Sequence, residues 1–93
     1  MAVARVVSFE GVPQDRVQGM QQEMDQGPPE GFPPAEVIVL HDPDAEASTV
    51  IVIFENEEDY AKGDEVLRAM SADDTPGRRT SVKKHNVAAR VKG

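Results

Sequence analysis

Apolar residues recur along this chain in runs and stripes whose spacing predicts six elements. Residues 2 to 10, AVARVVSFE, are rich in Val, with Val3, Arg5, Val7 and Phe9 on one face and Ala4, Val6 and Ser8 on the other, the pattern of a strand. Gly11 and Pro13 punctuate its end, and Pro13 suits the first turn of a helix. From Pro13 to about Gln26, Val17, Met20 and Met24 fall three and four residues apart, the narrow buried stripe of a helix, with Gly27 as a natural C-terminal cap. The segment GPPEGFPP, residues 27 to 34, excludes both helix and ladder, and reads as a structured crossover in which Phe32 plugs onto the core.

Residues 35 to 55, AEVIVLHDPDAEASTVIVIFE, dominate the pattern. Val37 to Leu40 and Val50 to Phe54 are apolar without a break, which predicts two strands folded back through HDPDAEAS, where Asp42, Pro43 and Asp44 supply turn chemistry. A hairpin with one wet face would alternate, so both faces of this one are expected to be covered. The chain's own helices can cover one face, and a partner subunit is expected on the other. Asn56 then opens a second helix whose first turn carries Glu57, Glu58 and Asp59, where the macrodipole favours negative charge. Tyr60, Gly63, Leu67 and Met70, with Val66 beside them, form its buried stripe. SADDTPG, residues 71 to 77, ends it, and residues 79 to 91 read as a last strand, with Lys83, His85, Val87, Ala89 and Val91 sharing one face. Strand, helix, strand, strand, helix, strand is the order of an α+β, ferredoxin-like split βαβ fold with a four-stranded antiparallel sheet.

Composition narrows the function classes. Ninety-three residues make a single domain, 1–93, that buries roughly 60–65% of its extended surface. The absence of Cys excludes a disulfide framework, a thiolate metal site and a cysteine nucleophile. Charge is split: residues 1 to 77 sum to -13 and residues 78 to 93 to +6, within a total of -7. A chain so acidic is not expected to bind nucleic acid, and the basic last strand is expected at a sheet edge, its lysines discouraging edge-to-edge pairing. Arg5 interrupts the N-terminal apolar run, no A-x-A-like cleavage site follows it, and no stretch approaches 18 apolar residues. A cytoplasmic, soluble protein without membrane contact is expected.

FEG after the first strand, GF in the Pro-rich crossover, the VIVL and VIVIFE strands, the acidic helix start NEEDY and the basic last strand together resemble the dimeric α+β barrel proteins related to antibiotic biosynthesis monooxygenases. The resemblance covers nearly the whole chain and rests on element order. It implies a homodimer in which two four-stranded sheets of order 4-1-3-2 pack face to face with helices outside. It also implies, for the family's oxygenases, chemistry without a metal of their own or a flavin, commonly using an Asn on the first strand with a Trp and a His. This chain has Ser8 on its first strand, no Trp, and only Asn56 and Asn86.

The candidate site residues follow from position. His85, mid-strand, and Tyr60, on the inner stripe of the second helix, are the polar groups that could reach a helix-sheet cleft, and Ser8 is the polar residue of the first strand. Either these position or deprotonate a substrate or they are structural. Met20, Met24, Leu67 and Met70 would line the cleft with soft, adaptable side chains. Arg5, inside a strand expected to be central, either pairs with an acid or binds an anionic ligand group. His41 reads as a turn residue, and the Asp42 and Asp44 beside it lack the spacing of a calcium loop, so no metal is expected. No phosphate loop, nucleophile elbow or HExxH is present, and no cofactor is expected. Three functions stay open: a homodimer binding a small apolar metabolite, a cofactor-independent monooxygenase or isomerase, and a structural or regulatory interaction module without a ligand.

Overall fold

Among the described residues six elements follow one another in the order the pattern predicts: β1 (Val3–Glu10), α1 (Gln14–Asp25), β2 (Ala35–Asp42), β3 (Ala47–Phe54), α2 (Glu57–Arg68) and β4 (Arg78–Asn86). The structure, a computed structural model, describes residues 2–27, 31–69 and 77–91. All pairings are antiparallel and the sheet order is β2-β3-β1-β4, so the fold is α+β with the ferredoxin-like split βαβ arrangement. β4 lies at one edge, as its lysines predict, and β2 at the other.

Local chemistry accounts for the ends of the elements. The Asn56 side chain accepts a hydrogen bond from the Asp59 amide at 2.8 Å, capping α2 above its acidic first turn. Gly27, at φ 93, turns the chain out of α1 while its amide bonds the Met24 carbonyl at 3.0 Å. The β2–β3 turn is tighter than the sequence implies. Asp42 Oδ1 accepts from the amides of Asp44 and Ala45 at 3.0 and 3.2 Å, and Glu46 takes φ 51, so the ladder continues through His41–Ser48 and Asp42–Ala47. His41 therefore stands in a strand, not in the turn where the sequence reading puts it. The last strand is shorter than predicted and ends at Asn86 rather than Val91. Its partner β1 begins at Val3, opposite Asn86, and one further bond runs from the Val87 amide to the Ala2 carbonyl at 2.9 Å. The chain then leaves the sheet, and Arg90 forms an ion pair with Glu36 on β2.

The registers sort the side chains into two faces. Val3, Arg5, Val7 and Phe9 of β1 align with Phe54, Val52, Val50 and Ser48 of β3, and through them with Ala35, Val37, Val39 and His41 of β2. Both helices lie on this face: Val17 of α1 packs on the cluster of Val7, Phe9 and Val12, and Asp64 of α2 bonds Arg5. Under α2 the core centres on Phe54, fully buried, with Tyr60 edge-on at 5.7 Å and Phe32 tilted at 5.9 Å, the plug expected of the crossover. The opposite face carries Ala4 and Val6 of β1, Thr49, Ile51 and Ile53 of β3, Ile38 and Leu40 of β2, and Ser81, Lys83 and His85 of β4. No described element covers it, and Ile38 and Leu40 there are 38% and 53% exposed.

Candidate functional site

α1 rests lightly on the sheet. It buries none of its residues, whereas α2 seats Gly63 directly on Phe54. Its narrow stripe is the reason: Val17 reaches the core, but Met20 is only half-buried and Met24 is 39% exposed. A groove of about 700 Å³ opens between α1 and edge strand β2, within the roughly 300–1,000 Å³ usual for small-molecule sites. α1 contributes Gln14, Val17, Gln18, Met20, Gln21 and Met24, and the β2 side contributes Val37, Ile38, Val39, His41 and Pro43. Among the described residues no Asp, Glu, Lys or Arg lines it.

Among the described residues of that lining, His41 is the one titratable side chain. Its Nδ1 lies 2.8 Å from Oγ of Ser48, its cross-strand neighbour on β3, and Ser48 is buried. Its Nε2 is shut off from solvent with no hydrogen-bond partner, one of two such side-chain atoms among the described residues. An unsatisfied buried donor or acceptor costs about 1–3 kcal/mol, so the position is a site of unmet hydrogen-bonding capacity. The sequence reading missed His41 because its neighbours Asp42, Pro43 and Asp44 speak for a turn. The signal that finds it is alternation: Val37, Val39 and His41 are spaced two apart on one face of β2.

Of the residues singled out in the sequence, Met20 and Met24 meet in the groove. Leu67, half-buried on α2, is not among the groove residues, and Met70 lies outside the described residues. Arg5, 4% exposed, donates from Nε to Asp64 Oδ1 at 3.0 Å, and Asp64 also receives Arg68 Nε at 2.7 Å. Arg5 thus has the acidic partner that the structural reading calls for; its Nη2 is the second unpartnered buried atom.

His85, Tyr60 and Ser8 do not converge. Arg5 pairs across the β1–β4 ladder with Lys84, so Lys84 points to the helix side and His85 to the uncovered face. The cleft shared by His85 and Tyr60 is therefore absent. Tyr60 stacks edge-on against Phe54 on the helix side, with Lys84 Nζ 5.0 Å above its ring, and Lys84 bonds Glu57 at 2.5 Å. That bond to the Glu57 carboxylate raises the Lys84 pKa above its ordinary value. Ser8 is on the uncovered face between Thr49 and Ser81, four positions along β1 from the residue opposite His85.

Among the described residues no group of His, Asp or Glu has the disposition to hold a metal ion, and no helix is long and apolar enough to cross a membrane. Comparison with known protein families finds no match, and comparison with curated proteins finds no similar chain.

Proposed function

We propose that this chain works in the cytoplasm as a homodimer that binds a small, mainly apolar molecule in the groove between α1 and β2. The observation that carries the reading is the lining of that groove, in which no described residue is an Asp, Glu, Lys or Arg: methionines stand on one wall and valines on the other, with Gln14, Gln18, Gln21 and His41 as its polar groups. Apolar surface that neither helix covers is the feature expected of a binding site. The second copy is assigned to the other side of the sheet. Val6, Ile38, Leu40, Ile51 and Ile53 span three adjacent strands there with no described element over them, and two such faces laid together would bury each other. This is the dimeric α+β barrel arrangement, and the sheet order β2-β3-β1-β4 supports it, being the order the family resemblance implies.

The chain has no Trp, so Gln18→Trp, at an exposed position of α1, places a single indole on the groove rim. Titration with menthol, a neutral apolar alcohol transparent in the near ultraviolet, is expected to shift its emission to the blue with saturation. A spectrum that stays that of a wet indole up to the solubility limit overturns the groove assignment.

A further inference from the structure

We infer that the groove selects neutral apolar molecules that present one hydrogen-bond acceptor, such as a ring or aryl carbonyl, to the imidazole of His41. The inference rests on the groove reading above and adds to it the chemical class of the ligand. It starts from the bond between His41 Nδ1 and Ser48 Oγ at 2.8 Å. Ser48 is 3% exposed, and its hydroxyl has no other partner among the described residues. If Nδ1 carried the ring proton and donated to Oγ, the serine's own hydrogen would be buried without an acceptor. With the hydroxyl donating to Nδ1, both atoms are satisfied by one bond, and the neutral ring must carry its proton on Nε2. Ser48 therefore fixes the tautomer, and the unpartnered atom is an N–H donor.

That donor is not satisfied by dimerisation. His41 lies on the helix side of the sheet with Val37 and Val39, so a second copy on the opposite face leaves it as it is. Gln14, Gln18 and Gln21 also line the groove, but none of them bonds Nε2, so a groove occupant can supply the acceptor, and the flexible side chains of Met20 and Met24 across the groove can shift to let one reach the ring. With no fixed charge among the described residues of the lining, an anion gains no ion pair there and loses its hydration. A neutral carbonyl carries the smaller desolvation cost and makes the same bond.

Two readouts test this on the whole protein. Imidazole ¹⁵N chemical shifts of the unliganded wild type at neutral pH are expected to show His41 with a bare Nδ1 and a protonated Nε2; the reverse tautomer overturns the inference without any variant. The dissociation constants of 2-acetylnaphthalene and 2-ethylnaphthalene, nearly equal in shape and different in the acceptor, form the second. Tighter binding of the ketone by about five- to tenfold is expected for the wild type, and His41→Phe should erase the preference while still binding the hydrocarbon. Should His41→Phe fail to fold, Ser48→Ala, which releases the tautomer, is expected to shrink the preference instead. Equal affinity of the wild type for both compounds overturns the acceptor inference and leaves the groove reading standing; binding of neither overturns both.

Discussion

The ring of Phe54 occupies the space a side chain at Gly63 would need. A Cβ on Gly63 would overlap Cε1 and Cζ of Phe54, which is fully buried at the end of β3. The glycine lets α2 descend onto β3, and the aromatic ring takes up the room it leaves.

Gly63→Ala is accordingly expected to destabilise the protein although alanine favours helices. Overpacking of a fixed ring costs about 1–3 kcal/mol and exceeds the propensity gain of about 1 kcal/mol. Chemical denaturation should show a lower midpoint. Gly19→Ala in α1, where an added Cβ meets nothing within 4 Å, is expected to stabilise slightly.

Arg5 and Asp64 give a second contrast. Asp64→Ala strands a buried guanidinium that already has one unpartnered nitrogen, and a loss of about 3–5 kcal/mol is expected. Arg68→Ala removes the exposed partner of the same carboxylate and should cost less than about 1 kcal/mol. Replacing Arg5 by Met together with Asp64 by Leu should recover most of what Asp64→Ala loses. A full double-mutant cycle by urea unfolding checks the three values, and additive single effects would contradict the pairing.

Lys83 and Lys84 are neighbours with opposite duties. Lys83 faces the uncovered side of edge strand β4, so Lys83→Val is expected to raise turbidity on concentration with little change in unfolding midpoint. Lys84 faces the helices, held by Glu57 and Tyr60. Because its pKa is raised in the folded state, its contribution is fully present below the unfolded value of about 10.4 and is lost as pH rises through the folded value. Stability measured from pH 9 to pH 12 should fall less steeply for Lys84→Met than for the wild type.

Much of this fold was legible because each element carries its own signal: the Asn56 cap, Gly27 after α1, the unbroken valines and isoleucines of β2 and β3, and Gly63 within the α2 stripe. What escaped depends on pairing. Alternation tells that Lys83 and His85 share a face, but only the alignment of Arg5 with Lys84 decides which face the helices take. Likewise the length of β4 is set by where β1 begins, and the place of His41 by how tightly Asp42 closes the turn. The groove was half-legible: Met20 and Met24 were named from the helical stripe, while the place of His41 in its lining was not.

Dimerisation through the uncovered face predicts a dimer mass by light scattering at micromolar concentration. Ile51, in the middle of that face, is the position to test. An unpaired carboxylate buried there costs several times thermal energy, so Ile51→Asp is expected to yield a folded monomer. A wild-type monomer, or an Ile51→Asp dimer, would contradict this assignment of the interface.

The most direct test of the groove is a map of backbone amide shifts as 2-ethylnaphthalene is added to the isotopically labelled wild-type protein. The largest changes are expected at Val17, Met20 and Met24 of α1 and at Val37, Val39 and His41 of β2, saturating together, with Val6 and Ile51 unmoved. Changes centred instead on Val6, Leu40, Ile51 and Ile53, or no saturable change at all, would contradict the account.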